Sequence, residues 1–525
     1  MIHMKLEFEN GLIDSDIYKE LGFEGFLALF QREIPMVGHT ILKPMERQSA
    51  LEHFQRLIQL DSQIRVHQAD LAALVQQGAR LPSLEAVLPF FRDGVLEPYH
   101  LFELGQFVSE ELDLRALEIS FPLPTAGEIC RTLTQILRKY TTRDYSNLIF
   151  STEEEAVQKS ITLLNQQLQK ALKQVEKEIF QQTGLKMVYP FSREIGKDDE
   201  KLKSVKACSY LQISEGKEFL TLDFVPDDAI IRIVTEKSKR EKEWNNLMAC
   251  KLETLNSELK EHYEAFSDYY QCRSKRLFDY ILLETKEQHQ LCFPKLHPTP
   301  LFKLEKGVLP SLRKINPGSY NPLTLEIKNG VSLLYGANMT GKTTVLKTVF
   351  FHLMCVKVGL PIPADSLTLS FPNQLGLRLK SSGKTQTGLS GFGEELQFFC
   401  REDVSPSFYM VDELFHSTDP VSGVELSQAF CEEYADSESL YFFTSHYPEV
   451  LNSPNVAFFR MKDIPESGEI ENLEEFLQKV PFEVEPITAD KLKGSLKSGK
   501  QSIRVALHFP LSDSLKQKLR KKLDG

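Results

Sequence analysis

Hydrophobic positions along the chain change their spacing several times, and each change predicts a different kind of element. Over residues 1–150, apolar residues recur three and four positions apart, as in the stretch 46–64, with Pro and Gly between such stretches. This spacing is typical of amphipathic helices separated by turns. We therefore expect a packed α-helical core domain over residues 1–150.

Two longer apolar stripes follow the predicted core domain. The first steps by three and four residues over 157–179, and the second does so over 244–270. Such stripes indicate either long paired helices or helices packed in an ordinary core. If residues 235–285 formed one helix, it would be about 75 Å long. The stripes alone leave the two alternatives open.

The segment between the stripes differs from both of them. Residues 185–230 contain turn signals and two β-like runs on either side of Gly216, which predict a hairpin. A compact β-containing tip between two long helices favours a lever arrangement. We therefore predict two lever helices over residues 151–290, with a clamp-like tip at about 185–230.

Short β-like runs alternate with helical stretches in the next part of the chain. This alternation predicts an α/β domain over residues 291–475, and the charged segment 476–525 predicts a short helical tail. The predicted fold class is thus multidomain. It combines an α-helical core and lever helices with a clamp tip, an α/β domain and a helical C-terminal tail.

Composition narrows the class of protein. The 525 residues are 42% hydrophobic and 26% charged, which is ordinary for a soluble globular protein. The eight cysteines form no C-x-x-C pair, and no apolar run approaches the roughly 20 residues that span a bilayer. These features predict a cytoplasmic protein with no membrane partner. The net charge of −11 counts mildly against nucleic acid, although it does not exclude a local basic stripe.

One glycine-rich segment predicts a nucleotide site. Residues 336–344 have the spacing G-x-x-x-x-G-K-[ST], between a β-like run and a helical run. In such a loop, backbone N–H groups face the phosphates of ATP, the lysine reaches the β- and γ-phosphates, and the hydroxyl after it binds Mg²⁺. The predicted ATP-binding residues are Gly336, Ala337, Asn338, Met339, Thr340, Gly341, Lys342, Thr343 and Thr344, with Thr343 also a Mg²⁺ ligand.

Two further β-like runs end in residues that suit ATP hydrolysis. The run FYMV is followed by Asp412 and Glu413, which we predict to hold Mg²⁺ and to activate the attacking water, respectively. A strand that merely ends in acids is the alternative. The run LYFFTS is followed by His446, a predicted contact to the γ-phosphate or to the water.

These motifs, in this order, resemble those of the MutS family of ATPases. GANMTGKTT is similar to the family's TGPNMGGKST, DELFHSTDPVSG to DEIGRGTSTYDG, and FTSHYPEV to FATHYHEL. TGLSGFGEEL resembles the signature loop SGRSTFMVEM, in which Ser390 matches the serine. The resemblance implies an ABC-type fold and an ATP-dependent homodimer or heterodimer, in which Ser390 acts on the nucleotide of the partner subunit.

The chain also departs from the family pattern. Ala337 and Thr340 replace a proline and a glycine of the phosphate loop, and Phe-His-Ser at 415–417 replaces Gly-Arg-Gly. The Phe-x-Glu motif of mismatch recognition does not occur before the ATPase segment, and the length leaves no room for a C-terminal nuclease domain. We therefore expect a MutS-type core without either domain.

Three functions remain open at this point. The first is an ATPase dimer whose levers open and close around duplex or branched DNA, in repair or recombination. The second keeps the motor but acts on a protein client, like the ATPase component of reactivating factors for adenosylcobalamin-dependent lysine aminomutase. The third, a structural homologue without activity, is disfavoured by Lys342, Thr343, Asp412, Glu413 and His446.

Overall fold

The computed structural model describes residues 5–6, 15–37, 41–66, 70–118, 127–315, 321–336, 340–379, 391–400, 404–462, 483–491, 503, 507 and 511–524. Its helices are α1 (Ser15–Glu20), α2 (Phe23–Leu27), α3 (Arg47–Val66), α4 (Leu71–Gly78), α5 (Leu88–Asp93), α6 (Pro98–Leu117), α7 (Gly127–Tyr140), α8 (Thr152–Thr183), α9 (Leu202–Ala207), α10 (Asp228–Lys260), α11 (Tyr263–His289), α12 (Pro310–Ile315), α13 (Lys342–Lys357), α14 (Gly391–Phe399), α15 (Pro420–Tyr434) and α16 (Asp513–Asp524). Its strands are β1 (Lys5–Leu6), β2 (Ile41–Leu42), β3 (Arg193–Gly196), β4 (Leu211–Glu215), β5 (Phe219–Phe224), β6 (Lys295–Leu296), β7 (Leu301–Gly307), β8 (Leu323–Lys328), β9 (Gly330–Tyr335), β10 (Ser366–Leu369), β11 (Leu375–Arg378), β12 (Phe408–Val411), β13 (Leu440–Ser445), β14 (Ala457–Met461) and β15 (Val484–Ile487).

The chain divides into two compact units. Unit 1 comprises Met1–Ser83, Asp113–Leu123 and Cys272–Gly525, and unit 2 comprises Leu84–Leu112 and Pro124–Gln271. The first 83 residues thus group with the α/β segment, although they share their helical patterning with the rest of 1–150. The four domains drawn from patterning stay a prediction. No helix in the described ranges is both long and apolar enough to cross a membrane.

In unit 2, the two longest helices, α8 and α10, pack against each other. A capping box between Ser151 and Glu154 starts α8, and Gly184 ends it with φ at 66°. Asp227 starts α10 by accepting a hydrogen bond from the backbone N–H of Ile230. These caps satisfy backbone groups that the helices themselves leave unpaired.

The apolar stripe of α8 is buried only at its ends. Val157, Val175 and Ile179 are buried, whereas Leu164 and Leu168 in the middle are half-buried. A helix that pairs with a single neighbour leaves part of its apolar face exposed to water, because two helices cannot enclose a core. The middle of this stripe therefore differs from the buried helices of an ordinary core.

The segment between α8 and α10 forms a three-stranded antiparallel sheet in the order β3-β5-β4. The predicted hairpin is confirmed, since the N–H of Gly216 donates to the carbonyl of Phe219 at 3.0 Å between β4 and β5. Leu220 and Leu222 of β5 pack with Val175 and Ile179 of α8 in one apolar cluster. The sheet is thus anchored on the helix that leads into it.

The second stripe is not one continuous helix. α10 ends at Lys260, two turn residues follow, and α11 begins at Tyr263. Near this break the Lys260 ammonium donates to the carbonyl of Asp93, and Asn256 exchanges two hydrogen bonds with the backbone of Leu96. The apolar spacing continues across the break. It depends on which side chains are buried, whereas the end of a helix depends on its backbone hydrogen bonds.

Unit 1 contains a six-stranded sheet in the order β11-β12-β13-β9-β14-β15. The pairs from β11 to β14 are parallel, and β15 is antiparallel to β14. β12 and β13 are buried along their whole length, as continuous apolar runs in a parallel sheet require. The β-like runs predicted in this part of the chain are confirmed, with FYMV as β12 and LYFFTS as β13.

Strand β15 lies beyond residue 475, the predicted end of the α/β domain. Val484–Ile487 extends the six-stranded sheet, with Phe458 opposite Ile487 and Met461 opposite Val484. The segment VEPI is short and carries a glutamate and a proline, which are typical of an edge strand, so its sequence alone indicates no sheet. Within the described part of the tail, the predicted helix appears as α16.

Unit 1 also contains a second sheet, in the order β6-β10-β7-β8. Along the chain, β6, β7 and β8 precede β9, and β10 lies between β9 and β11. The helix α13 is buried over nearly its whole length. The ring of Phe351 on α13 packs edge-on against Phe23 and Phe26 of α2, at centroid distances of 5.6 and 5.1 Å. The helix that follows the glycine-rich loop is therefore held firmly in the core of unit 1.

Candidate active site

The three predicted motifs follow three neighbouring parallel strands. β13 lies between β9 and β12, with Phe443 opposite both Leu333 and Val411. Because parallel strands end at the same edge of a sheet, the loops after them converge, and ligands of such sheets bind outside the carboxyl ends of the strands. The glycine-rich loop, the Asp-Glu pair and the Ser-His pair therefore meet at one edge.

The glycine-rich loop leads from β9 into α13. Gly341 adopts φ 99°, a left-handed conformation that favours glycine, and caps the start of α13 at Lys342. A Cβ on Gly336 would lie 3.0 Å from the hydroxyl of Thr340, so the loop is tight there. Thr344 is half-buried in the first turn of α13. The predicted Ala337, Asn338 and Met339 lie outside the described residues.

The loop lysine is buried and bonded to its own loop. Lys342 is only 5% exposed, and its ammonium donates a 2.7 Å hydrogen bond to the carbonyl of Gly336. A buried ammonium at the N-terminus of a helix presents positive charge where the helix dipole is also positive. Together these groups are suited to hold an anion.

Asp412 is the centre of the hydrogen bonds at this edge. Its Oδ2 accepts a 2.6 Å bond from the hydroxyl of Thr343, and its Oδ1 accepts a 2.8 Å bond from the hydroxyl of Thr444. The residue is 5% exposed. Both partners are neutral hydroxyls, so an ionised carboxylate in this buried position would need a cation to balance its charge. Burial of an unbalanced charge is costly.

Glu413 is held by its backbone in an uncommon conformation. Its φ is 57°, a left-handed value that a non-glycine residue seldom adopts, and it is 7% exposed. Its N–H donates to the hydroxyl of Thr444 at 2.7 Å. Such conformations persist only where neighbouring groups impose them, and they cluster at active sites.

Sequence reasoning missed Thr444, which joins the two acids. It lies in β13, 32 positions from Asp412 and 31 from Glu413. The available signal was a threonine directly after the apolar run LYFF, on the strand beside the acids. Its importance depends on the parallel register of β12 and β13, which the pattern does not give.

Of the other two predicted site residues, one is exposed and one lies outside the described residues. His446 is exposed, and its ring centroid lies 4.4 Å from that of Tyr447. Ser390 lies outside the described residues, immediately before α14. The roles predicted for both residues stay predictions.

A second missed residue, Glu395, lies on α14. It is 1% exposed, and its Oε1 accepts a 2.7 Å hydrogen bond from the backbone N–H of Phe415. Burial raises the pKa of this carboxyl, against the opposing effects of the Phe415 bond and of the Arg378 charge. Arg378 in turn donates to the carbonyl of Gly391 at 2.9 Å. α14 is thereby tied to the loop that carries Glu413.

The residues at this edge fit a nucleoside triphosphate with Mg²⁺. Mg²⁺ prefers hard oxygen ligands and is held in proteins by few side chains together with substrate phosphates. The hydroxyl of Thr343 and the carboxylate of Asp412, bonded to each other, are ligands of that kind. Lys342 and the start of α13 supply the complementary positive charge for phosphates.

Comparison with known proteins matches this part of the chain to one family. Residues 332–477 match the model of MutS domain V. Similar proteins include endonuclease MutS2 of Thermus thermophilus, 32% identical over 24% of this chain and 17% of its own length. MutS protein homolog 4 of Mus musculus is 27% identical over 29% of this chain and 17% of its own length.

A longer match is to the DNA mismatch repair protein MutS of Exiguobacterium sp. It is 25% identical over 347 residues, which are 63% of this chain and 38% of that protein. The chain thus spans well under two thirds of the length of each of these relatives.

Proposed function

Since the chain is a member of the MutS family, as its motifs predicted, we propose that it binds and hydrolyses ATP with Mg²⁺ and acts on DNA as a dimer. The observation that supports hydrolysis best is the bonded set Thr343–Asp412–Thr444, which adjoins Glu413 through Thr444. It brings three separate sequence motifs to one sheet edge.

Each predicted residue of the nucleotide site has a proposed task. Lys342 and the backbone of the glycine-rich loop bind the phosphates, and Thr343 and Asp412 hold Mg²⁺. When bound, Mg²⁺ neutralises charge on the phosphate oxygens. Glu413 positions the attacking water and accepts its proton, and His446 contacts the water or the terminal phosphate.

The dimer and its motion are part of the proposal. The MutS resemblance implies that Ser390 completes the nucleotide site of a partner subunit, identical or related. α8, α10 and the sheet between them would then serve as the lever and the clamp-like tip. ATP binding closes such a dimer and hydrolysis releases it, so the levers would open and close around the client.

DNA is the client that we propose, because the matched relatives include a DNA mismatch repair protein and an endonuclease. The charge of the tip limits how DNA could be held. Residues 185–206 carry six basic and four acidic side chains, whereas residues 207–228 carry one basic and five acidic ones. Any contact to phosphates would therefore involve the first of these segments.

ATP hydrolysis is tested by steady-state turnover with Mg²⁺ and by nucleotide binding. Lys342→Ala should weaken ATP binding, because it removes the buried ammonium. Glu413→Gln should keep ATP binding but lower kcat by about 100-fold or more, and should trap an ATP-bound dimer in size-exclusion chromatography. Unchanged turnover in both variants would reject the assignment.

The client is tested separately, by fluorescence anisotropy with labelled duplex and branched DNA. Binding at about 50 mM salt that weakens as salt is raised would support a DNA client. A wild-type protein that hydrolyses ATP but does not bind DNA at about 50 mM salt would reject it. The protein client, which the acidic segment 207–228 favours, would then be tested by reactivation of an inactivated lysine aminomutase.

A further inference from the structure

The loop that carries Glu413 is held by three successive backbone bonds. The N–H of Glu413 donates to the Thr444 hydroxyl, and the N–H of Leu414 donates to the Thr444 carbonyl at 3.0 Å. The third N–H, that of Phe415, donates to the carboxylate of Glu395. Two of the bonds thus come from the sheet, and one comes from α14.

The third bond supports a strained part of the loop. Phe415 has φ at 50°, and with Glu413 it gives two left-handed non-glycine residues within three positions. Such conformations require external support. The side chain of Phe415 is fully buried, and its ring lies 4.8 Å from Phe430 and 6.1 Å from Phe399. Its N–H is therefore cut off from water and depends on Glu395.

The helix that presents Glu395 is itself fixed at its first residue. Arg378 donates to the carbonyl of Gly391, and a Cβ on Gly391 would lie 3.3 Å from the hydroxyl of Ser417. Arg378 also accepts, through its carbonyl, the N–H of Asp412 at 2.9 Å. The start of α14, the Asp412 backbone and the end of the Glu413 loop therefore lie in one hydrogen-bonded group.

We propose that Glu395 is a positioning residue for ATP hydrolysis, which fixes the Glu413 loop through its bond to the Phe415 N–H. Glu395 touches neither nucleotide nor water in this role. It sets the direction in which the Glu413 carboxylate points, because the backbone between 413 and 415 has little freedom once its three N–H groups are bonded. This inference rests on the proposed ATPase function.

The test compares three substitutions in the full-length chain. Glu395→Gln keeps an oxygen that can accept the Phe415 N–H, Glu395→Met keeps the length but removes the acceptor, and Glu395→Asp keeps the charge but shortens the side chain. We expect Glu395→Met to lower kcat by about 10- to 100-fold, as misplacement of a catalytic group by about 1 Å does. Glu395→Asp should lower kcat in the same direction.

The matched readouts separate positioning from a merely structural role. Glu395→Gln should stay within about threefold of the wild-type kcat, and the ATP dissociation constant should change less than about threefold in all three variants. Thermal unfolding shows which variants fold. If Glu395→Met does not fold, the comparison of Glu395→Asp with Glu395→Gln decides.

The outcomes distinguish this inference from the proposed function. A wild-type protein without ATPase activity would reject the proposed function itself. An active wild type with a normal kcat in Glu395→Met and Glu395→Asp would reject only the role of Glu395. A Gln variant as slow as the Met variant would also reject it, because charge rather than the backbone bond would then matter.

Discussion

The hydroxyl of Thr444 donates a hydrogen bond to the carboxylate of Asp412 at 2.8 Å, and it accepts the backbone N–H of the next residue, Glu413, at 2.7 Å. One side chain on β13 thus connects the proposed metal ligand with the proposed catalytic base. The parallel pairing of β12 with β13 makes this possible, because it brings the ends of both strands together.

Thr444→Val should lower kcat while the protein still folds. Valine has nearly the shape of threonine, but it removes the hydroxyl that accepts the Glu413 N–H and donates to Asp412. Loss of such a bond in a buried position costs about 1–3 kcal/mol. We expect turnover to fall about 10- to 100-fold. Thr444→Ser keeps the hydroxyl and is the matched control, expected near wild type. Equal turnover in the Val and Ser variants would contradict the role of the hydroxyl.

Lys357 should make the free energy of unfolding depend on pH in the alkaline range. Burial lowers the pKa of this ammonium from 10.5 to about 8, although it donates to the carbonyls of Pro372 and Asn373. Because the folded pKa lies below the unfolded one, the unfolded chain binds more protons between pH 8 and 10.5, and the free energy of unfolding rises with pH across that window.

The variant Lys357→Met provides the reference for this pH effect. It cannot titrate at this position, so the difference in unfolding free energy between wild type and variant should move in favour of the wild type as pH rises from 7.5 to 10. Chemical denaturation at both pH values measures the difference. A difference that does not change with pH would show that the ammonium is not destabilised by burial.

Glu118 and Arg273 form a buried ion pair whose rupture should be costly. Arg273 makes two hydrogen bonds to Glu118, at 2.7 and 3.0 Å, and the residues are 3% and 1% exposed. Tyr280 also donates to Glu118. Glu118→Ala would remove both of these hydrogen bonds and the opposite charge from a buried guanidinium, and we expect a loss of about 3–5 kcal/mol in unfolding free energy.

The control for this pair is the exposed pair of Arg92 with Asp93. Asp93→Ala removes the acidic partner from a solvent-exposed contact, and it should change the unfolding free energy far less than Glu118→Ala does. Equal effects of Glu118→Ala and Asp93→Ala in urea unfolding would contradict the importance of burial here.

Gly330 should not tolerate a side chain. Its φ is 77°, and a Cβ would lie 2.0 Å from the backbone carbonyl oxygen of Ala435, which cannot rotate away. Gly330→Ala should therefore destabilise the fold by more than about 1–3 kcal/mol, the cost of a left-handed strain alone. Gly196, which has nothing within 4 Å of a Cβ, is the control, and Gly196→Ala should have little effect in thermal unfolding.

Much of the candidate site could be predicted from the sequence, because its parts are encoded locally. The glycine spacing at 336–341, the acids after an apolar run and the helix after Lys342 each depend on residues adjacent in the chain. The strands were predictable for the same reason, since continuous apolar runs of four to six residues suit a buried parallel sheet.

The sequence by itself therefore determined the resemblance to the MutS family, the glycine-rich loop and the identity of the candidate catalytic acids. Only the tertiary structure decided that Thr444 joins Asp412 to Glu413, that Glu395 holds Phe415, that Val484–Ile487 extends the sheet, and that α10 ends at Lys260. These relationships depend on strand register and on contacts between segments 20 or more positions apart. Periodicity along one segment reports the face that it buries, but not the segment against which that face packs.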